Sequence, residues 1–175
     1  MGTRGLTVVT YNNEVRVAQY GQWDHYPAGQ GVTALEFLRN PENVEQLRKN
    51  MDKCYWIPQD RHEALIGEFS SSDKSGWMTF EEGKAFGEAY PSLTRDTGAE
   101  ILYVIAEATE PVPLVNEYEF SKDELMCEGI YSVDLDRNTF ISEYAPYPTK
   151  VYDLDNLPTR EDYLAAFKEE EEVNA

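Results

Sequence analysis

Leu6-Thr7-Val8-Val9-Thr10-Tyr11-Asn12-Asn13-Glu14-Val15-Arg16-Val17-Ala18-Gln19-Tyr20 places two β-prone runs on either side of an asparagine pair. Asparagine tolerates the left-handed backbone of tight turns, so the segment predicts a β-hairpin with Asn12 and Asn13 at its tip. The pattern recurs near the other end. Ile130–Leu135 and Thr139–Tyr144 flank Asp136-Arg137-Asn138, and Val151–Leu154 can add a strand.

Helical patterning fills the middle. Gly29 and Gly31 release the chain into a short helix from Val32 to Leu38, and Asn40-Pro41 opens a second, with Val44, Leu47 and Met51 on one face. Thr79 and Glu82 form a capping box for a helix to about Ala89. Arg95-Asp96-Thr97-Gly98-Ala99 opens another, with Asp96 as N-cap and Ile101, Leu102, Ile105 and Ala106 as its buried stripe. Thr159 caps a last helix from Arg160 to Lys168. From Tyr55 to Gly67 no pattern is decisive, and Pro111 and Pro113 start an irregular extended run to Phe120. Hairpins at both ends with helices between, and no βαβ alternation, predict an α+β fold: a mainly antiparallel sheet packed against several short helices.

At 175 residues the chain fits one domain able to bury roughly 70% of its unfolded surface. Residues 1–168 are assigned to it, and Glu169-Glu170-Glu171-Glu172-Val173-Asn174-Ala175 to a disordered acidic tail. No apolar run is long enough to span a membrane, and the start enters strand-like sequence without a leader. Leu6 occupies the position where myristoylation needs Ser or Thr. Cys54 and Cys127 lie far apart without metal-ligand spacing, so reduced core thiols and a cytoplasmic location are expected.

Net charge is −18, unevenly placed. Residues 1–53 balance six acids against six bases, so the whole excess lies in residues 54–175. Such a field repels nucleic acid and acidic membranes and suits a basic protein partner or a nucleic-acid mimic, although an acidic surface that keeps a small protein soluble is the favoured reading. Oligomeric state is not set by these features.

The hairpin delivers the chain into Tyr20-Gly21-Gln22-Trp23-Asp24-His25-Tyr26-Pro27-Ala28-Gly29-Gln30-Gly31, dense in aromatics and glycine. Loops between regular elements are where binding residues gather. Met1-Gly2-Thr3-Arg4-Gly5, this QWD-x-YP-x-G-x-G loop and Arg95-Asp96-Thr97-Gly98-Ala99 together resemble a family of small bacteriophage and bacterial proteins with no established activity. The resemblance covers most of the chain and implies kinship. A phage setting implies a host-directed role such as blocking a defence system. His25 stands where that pattern leads one to expect a smaller residue.

The leading expectation is a polar-aromatic pocket for a small anionic, nucleotide-like ligand, built from Arg4, Gln22, Trp23, Asp24, Tyr26, Gly29, Gly31 and Arg95. Arginines pair with carboxylate or phosphate, aromatic faces stack on a ring, and a glycine-led helix start offers N–H groups to an anion. An acidic decoy for a basic host protein is the competing reading.

A third is an amide hydrolase with Thr3 as N-terminal nucleophile and Asp24 shaping its oxyanion site, which requires loss of both Met1 and Gly2. Ser71, Asp73, Ser75 and Glu82 also match calcium-loop spacing, although two serines stand where acids are needed, so a serine-rich loop before a capped helix is favoured. Asp134 and Asp136 read as turn chemistry, and His25 and His62 lack ligand partners at zinc spacing. No cofactor is expected.

Overall fold

The computed structural model describes residues 2–72 and 76–174, with side chains as far as Lys168. Among them the regular elements run β1 (Gly5–Tyr11), β2 (Glu14–Gly21), α1 (Val32–Leu38), α2 (Pro41–Asn50), β3 (Cys54–Trp56), α3 (Gln59–Phe69), α4 (Phe80–Ala89), α5 (Ile101–Ala106), β4 (Val112–Leu114), β5 (Gly129–Asp134), β6 (Thr139–Tyr144), β7 (Lys150–Asp153) and α6 (Arg160–Asn174). The fold is α+β. No helix is long and apolar enough to cross a membrane among the described residues.

Both expected hairpins form. Asn12 and Asn13 take φ of 55° and 61° at the first turn, and Asn138 takes 57° at the second. The sheet has the order β2-β1-β5-β6-β7, all pairs antiparallel except the central β1–β5 pair, which is parallel. Its register aligns Val17, Val9, Val133, Phe140 and Tyr152 in one row across all five strands. Because side chains alternate along a strand, this row presents one continuous apolar face. Leu35, Phe37, Leu38, Leu47, Ile101, Leu102, Ile105 and Tyr163, from α1, α2, α5 and α6, join it in the main core.

Caps explain several helix starts. The Asn40 side chain accepts from Glu42 N–H, Thr79 and Glu82 complete the capping box, and Thr159 Oγ1 accepts from Asp162 N–H. All four residues of the stripe in α5 are buried. Asp96, by contrast, caps nothing: a 3₁₀ turn over Gly98–Glu100 precedes α5, and the Asp96 carboxylate turns to Trp23.

Two elements differ from expectation. Helix α3 forms where no pattern was decisive, and β4, in the run read as irregular, pairs in parallel with β3 as a separate two-stranded sheet. Helices α3 and α4 pack as a hairpin over a second small core of Leu65, Phe86, Leu93 and Val115. That hairpin forms one wall of the site described next. Helix α6 runs on to Asn174, past the end expected at Lys168 and through most of the stretch expected to be a disordered tail; the expectations for Ala175, Asp73 and Ser75 fall outside the described residues.

Candidate functional site

His25 is the anchor of the loop after β2. Its side chain is 0% exposed, whereas Asp24 beside it has φ of 61° and faces solvent. The His25 N–H donates to Thr3 O at 3.1 Å, its Nδ1 lies 3.0 Å from Trp23 O, and its carbonyl accepts from the Tyr131 hydroxyl at 2.7 Å. Facing a carbonyl, Nδ1 carries the proton; Nε2 is buried with no protein partner. Gly5, Gly21 and Gly129 surround the residue so closely that a Cβ at any of them would overlap it. Burial lowers the His25 pKa to about 4, only partly opposed by its bonds to the Trp23 and Thr3 backbone. The residue therefore serves as a neutral wedge.

With His25 fixed, the loop meets the segment before α5. Gln22 N–H donates to Arg95 O at 3.0 Å, and Trp23 Nε1 to Asp96 Oδ1 at 2.8 Å. The Gln30 amide joins both sides, donating to Trp23 O at 3.1 Å and accepting from Ala99 N–H at 2.8 Å. Gly98, at φ of 52°, lets that amide approach, since a Cβ there would lie 2.7 Å from Gln30 Cδ.

Of the expected site residues, Trp23 and Arg95 line the groove, whereas Gln22, Asp24, Tyr26, Gly29, Gly31 and Arg4 do not: Gln22 Oε1 accepts from the Tyr20 hydroxyl at 2.7 Å, and Tyr26 Oη donates to Asp24 Oδ1 at 3.3 Å. Gly29 and Gly31 lie in a π-helical turn over Pro27–Gly31. The N–H groups of Gly29 and Gln30 are bonded to Tyr26 O and Asp24 O, so they are committed within the chain. A Cβ at Gly31 would meet Tyr163 and Tyr131; close packing accounts for that glycine. Arg4 is bonded through its backbone to Glu128, and its charge, with that of Arg95, acts on Tyr20.

Sequence reading omitted the opposite wall. A groove of about 950 Å³ runs between Trp23, Arg95 and Asp96 on one side and Trp77, Met78, Phe80 and Lys84 on the other. Its exposed aromatics are Trp23 (43%), Trp77 (65%) and Phe80 (87%). Trp77 precedes the capping box and Phe80 is the first residue of α4 within it, so both read locally as helix-start residues. Their exposure was the missing signal, and only the packing of the α3–α4 hairpin supplies it.

The other candidates resolve into structural roles. Glu82 accepts from Thr79 N–H at 2.9 Å and from both the N–H and hydroxyl of Ser71, and these bonds, the Ser71 hydroxyl foremost, lower its pKa. Asp134 accepts from Asp136 N–H and Arg137 N–H within its turn. No cluster of three metal-ligating side chains occurs among the described residues. Thr3 is half-buried, with its carbonyl held by His25. The chain matches no protein-family model, no curated protein and no solved structure, so the chemistry of the groove rests on its own residues.

Proposed function

We propose that the protein is a binding module whose groove takes a small ligand with a flat ring and an anionic group. The observation that carries this reading is the composition of the groove against that of the chain. In a protein of net charge −18, the groove holds two cations, Arg95 and Lys84, beside three exposed aromatics. Its one carboxylate, Asp96, already accepts the indole N–H of Trp23. Among the described residues neither cation has an ion-pair partner.

Low-dielectric walls raise the effect of such charges on an entering anion, and aromatic faces supply stacking that does not depend on sequence-specific contacts. The volume lies within the range of small-molecule sites. A nucleotide has both required parts, as does any aromatic carboxylate. The resemblance to phage proteins gives this reading a setting in the host cell, where sequestering such a ligand would serve a host-directed role.

Isothermal titration with AMP and with indole-3-propionate tests it. One of these probes is expected to bind with Kd in the micromolar to millimolar range, and Trp23→Ala and Arg95→Met are each expected to weaken it about tenfold, or about 1.4 kcal/mol. Absence of saturable binding by both probes and by L-tryptophan, a third ring-bearing anion, would refute the reading.

A further inference from the structure

Beside Arg95 a second, much smaller and half-open space of about 70 Å³ adjoins the groove. Arg95, His62, Leu93 and Thr94 border both spaces, so the two share a wall. This second space adds Gln19, Tyr20, Ser92, Val115 and Glu117, of which Glu117 is the one carboxylate. Its size corresponds to about two water molecules, enough for a primary ammonium group and too little for a ring.

Arg95 and Glu117 border the second space together. The tyrosine hydroxyl of Tyr20 feels Arg4 and Arg95 from one sign and Glu117 from the other. Arg95 borders both spaces: the groove also carries Lys84 and Asp96, whose carboxylate accepts the Trp23 indole N–H, and the second space carries Glu117. His62 Nε2 lies 3.0 Å from Leu93 O, which fixes the proton on that nitrogen and leaves Nδ1 as an acceptor. The Gln19 amide approaches Thr94 O at 3.5 Å through its nitrogen, leaving its oxygen as a further acceptor. The space is half-open, and a bound ammonium that gives up part of its hydration there needs such partners.

We infer that the ligand is an aromatic α-amino acid zwitterion, its ring in the groove beside Trp23 and Trp77, its carboxylate on Arg95 and its ammonium in the second space toward Glu117. This rests on the groove reading above and narrows it. An α-amino acid carries its ammonium and its carboxylate on one carbon, matching an arginine that borders both spaces with a carboxylate bordering the second. A nucleoside monophosphate has the ring and the anion but no ammonium for the second space.

The test compares L-tryptophan with indole-3-propionate, which lacks only the ammonium, by isothermal titration against wild type, Glu117→Gln and Glu117→Asp. The zwitterion is expected to bind at least about tenfold more tightly, a difference of about 1.4 kcal/mol. Glu117→Gln is expected to abolish that advantage while leaving indole-3-propionate unchanged, and Glu117→Asp, which keeps the charge, to retain part of it. Equal affinities in wild type, or equal weakening of both ligands by Glu117→Gln with Glu117→Asp no better, would overturn the zwitterion assignment while the groove reading stands. Failure of both ligands and of AMP to bind wild type would overturn both.

Discussion

Trp23 Nε1 donates to Asp96 Oδ1 at 2.8 Å, tying together two loops separated by 73 residues of sequence. The bond is solvent-exposed, so its net worth is about 0.5–1.5 kcal/mol and its chief effect is to orient the indole. Asp96→Ala is therefore expected to lower unfolding free energy by about 1 kcal/mol in urea titration. Its effect on groove binding should be smaller than that of Trp23→Ala, because the ring remains. A stability loss comparable to a core substitution would show that Asp96 holds more than the indole.

Gln30 is the stronger tie. Ala99, whose N–H it accepts, is fully buried, so Gln30→Ala leaves that donor unsatisfied at a cost of about 1–3 kcal/mol. Gly98→Ala strains a left-handed backbone position and also collides with the same amide, for a comparable cost of about 1–3 kcal/mol. Combining the two is expected to cost less than the sum of the single changes, since removing the Gln30 side chain relieves the collision. A double-mutant cycle by chemical denaturation reads this coupling directly, and strict additivity would contradict it.

Local chemistry made much of this legible in the sequence. Asn12-Asn13, Thr79 with Glu82, and the Ile101, Leu102, Ile105, Ala106 stripe act within a few residues, so their spacing alone disclosed the turn, the cap and the buried face. Helix α3 escaped because it lacks a side-chain N-cap and buries only Leu65 completely. The parallel β1–β5 and β3–β4 pairs escaped because nothing local signals a partner more than fifty residues away. Arg95 lies beside the Trp23 loop through the Gln22 N–H bond to its carbonyl, while the wall bearing Trp77 and Phe80 had no sequence signal, since a residue's exposure depends on what the rest of the chain leaves uncovered. His25, discounted as a chemical group, is instead the wedge on which the loop sits.

Protonation of that wedge sets an acid limit to stability. The ordinary histidine pKa of 6.5 is lowered to about 4 by burial. Above pH 6.5 both folded and unfolded chains hold His25 neutral and stability is complete. As pH falls from 6.5 toward about 4 the unfolded chain takes up the proton and the folded chain does not, so stability drops, by about 3 kcal/mol in total. Asparagine can reproduce the Nδ1–H donation to Trp23 O without titrating. The wild-type-minus-His25→Asn difference in unfolding free energy is thus expected to slope with pH over this window and flatten above it; a flat difference throughout would contradict the buried neutral imidazole.

The tips of the two hairpins are also joined: Asp136 accepts from Asn12 N–H at 2.9 Å and from Asn13 N–H at 2.8 Å, one bond to each carboxylate oxygen. Both donors lie at a solvent-exposed turn, so Asp136→Ala is expected to cost about 1–2 kcal/mol, and Asp136→Asn, which retains one acceptor oxygen, roughly half of that. Hydrogen exchange at Asn12 and Asn13 should accelerate in both variants while the amides of Val9 and Val133 stay protected. Equal acceleration along β1 would mean that the clamp supports the whole parallel pair.

Salt separates groove binding from the acidic-decoy alternative. Screening shortens from about 10 Å at 0.1 M salt to about 3 Å at 1 M, so an attraction spread over the acidic surface of residues 54–175 should collapse as salt rises. Stacking on Trp23 and Trp77 is not screened, and a close guanidinium–anion contact is only partly so. The affinity of indole-3-propionate is accordingly expected to fall by no more than about threefold between about 0.1 and 0.5 M NaCl, and to be largely lost in Trp23→Ala. A decoy requires the reverse for its basic protein partner: release at the higher salt and indifference to Trp23→Ala. Because the groove's own cations oppose the sign of the surrounding surface, a ligand whose binding weakens steeply with salt yet still needs Trp23 would place Arg95 and Lys84, rather than the aromatics, at the centre of recognition.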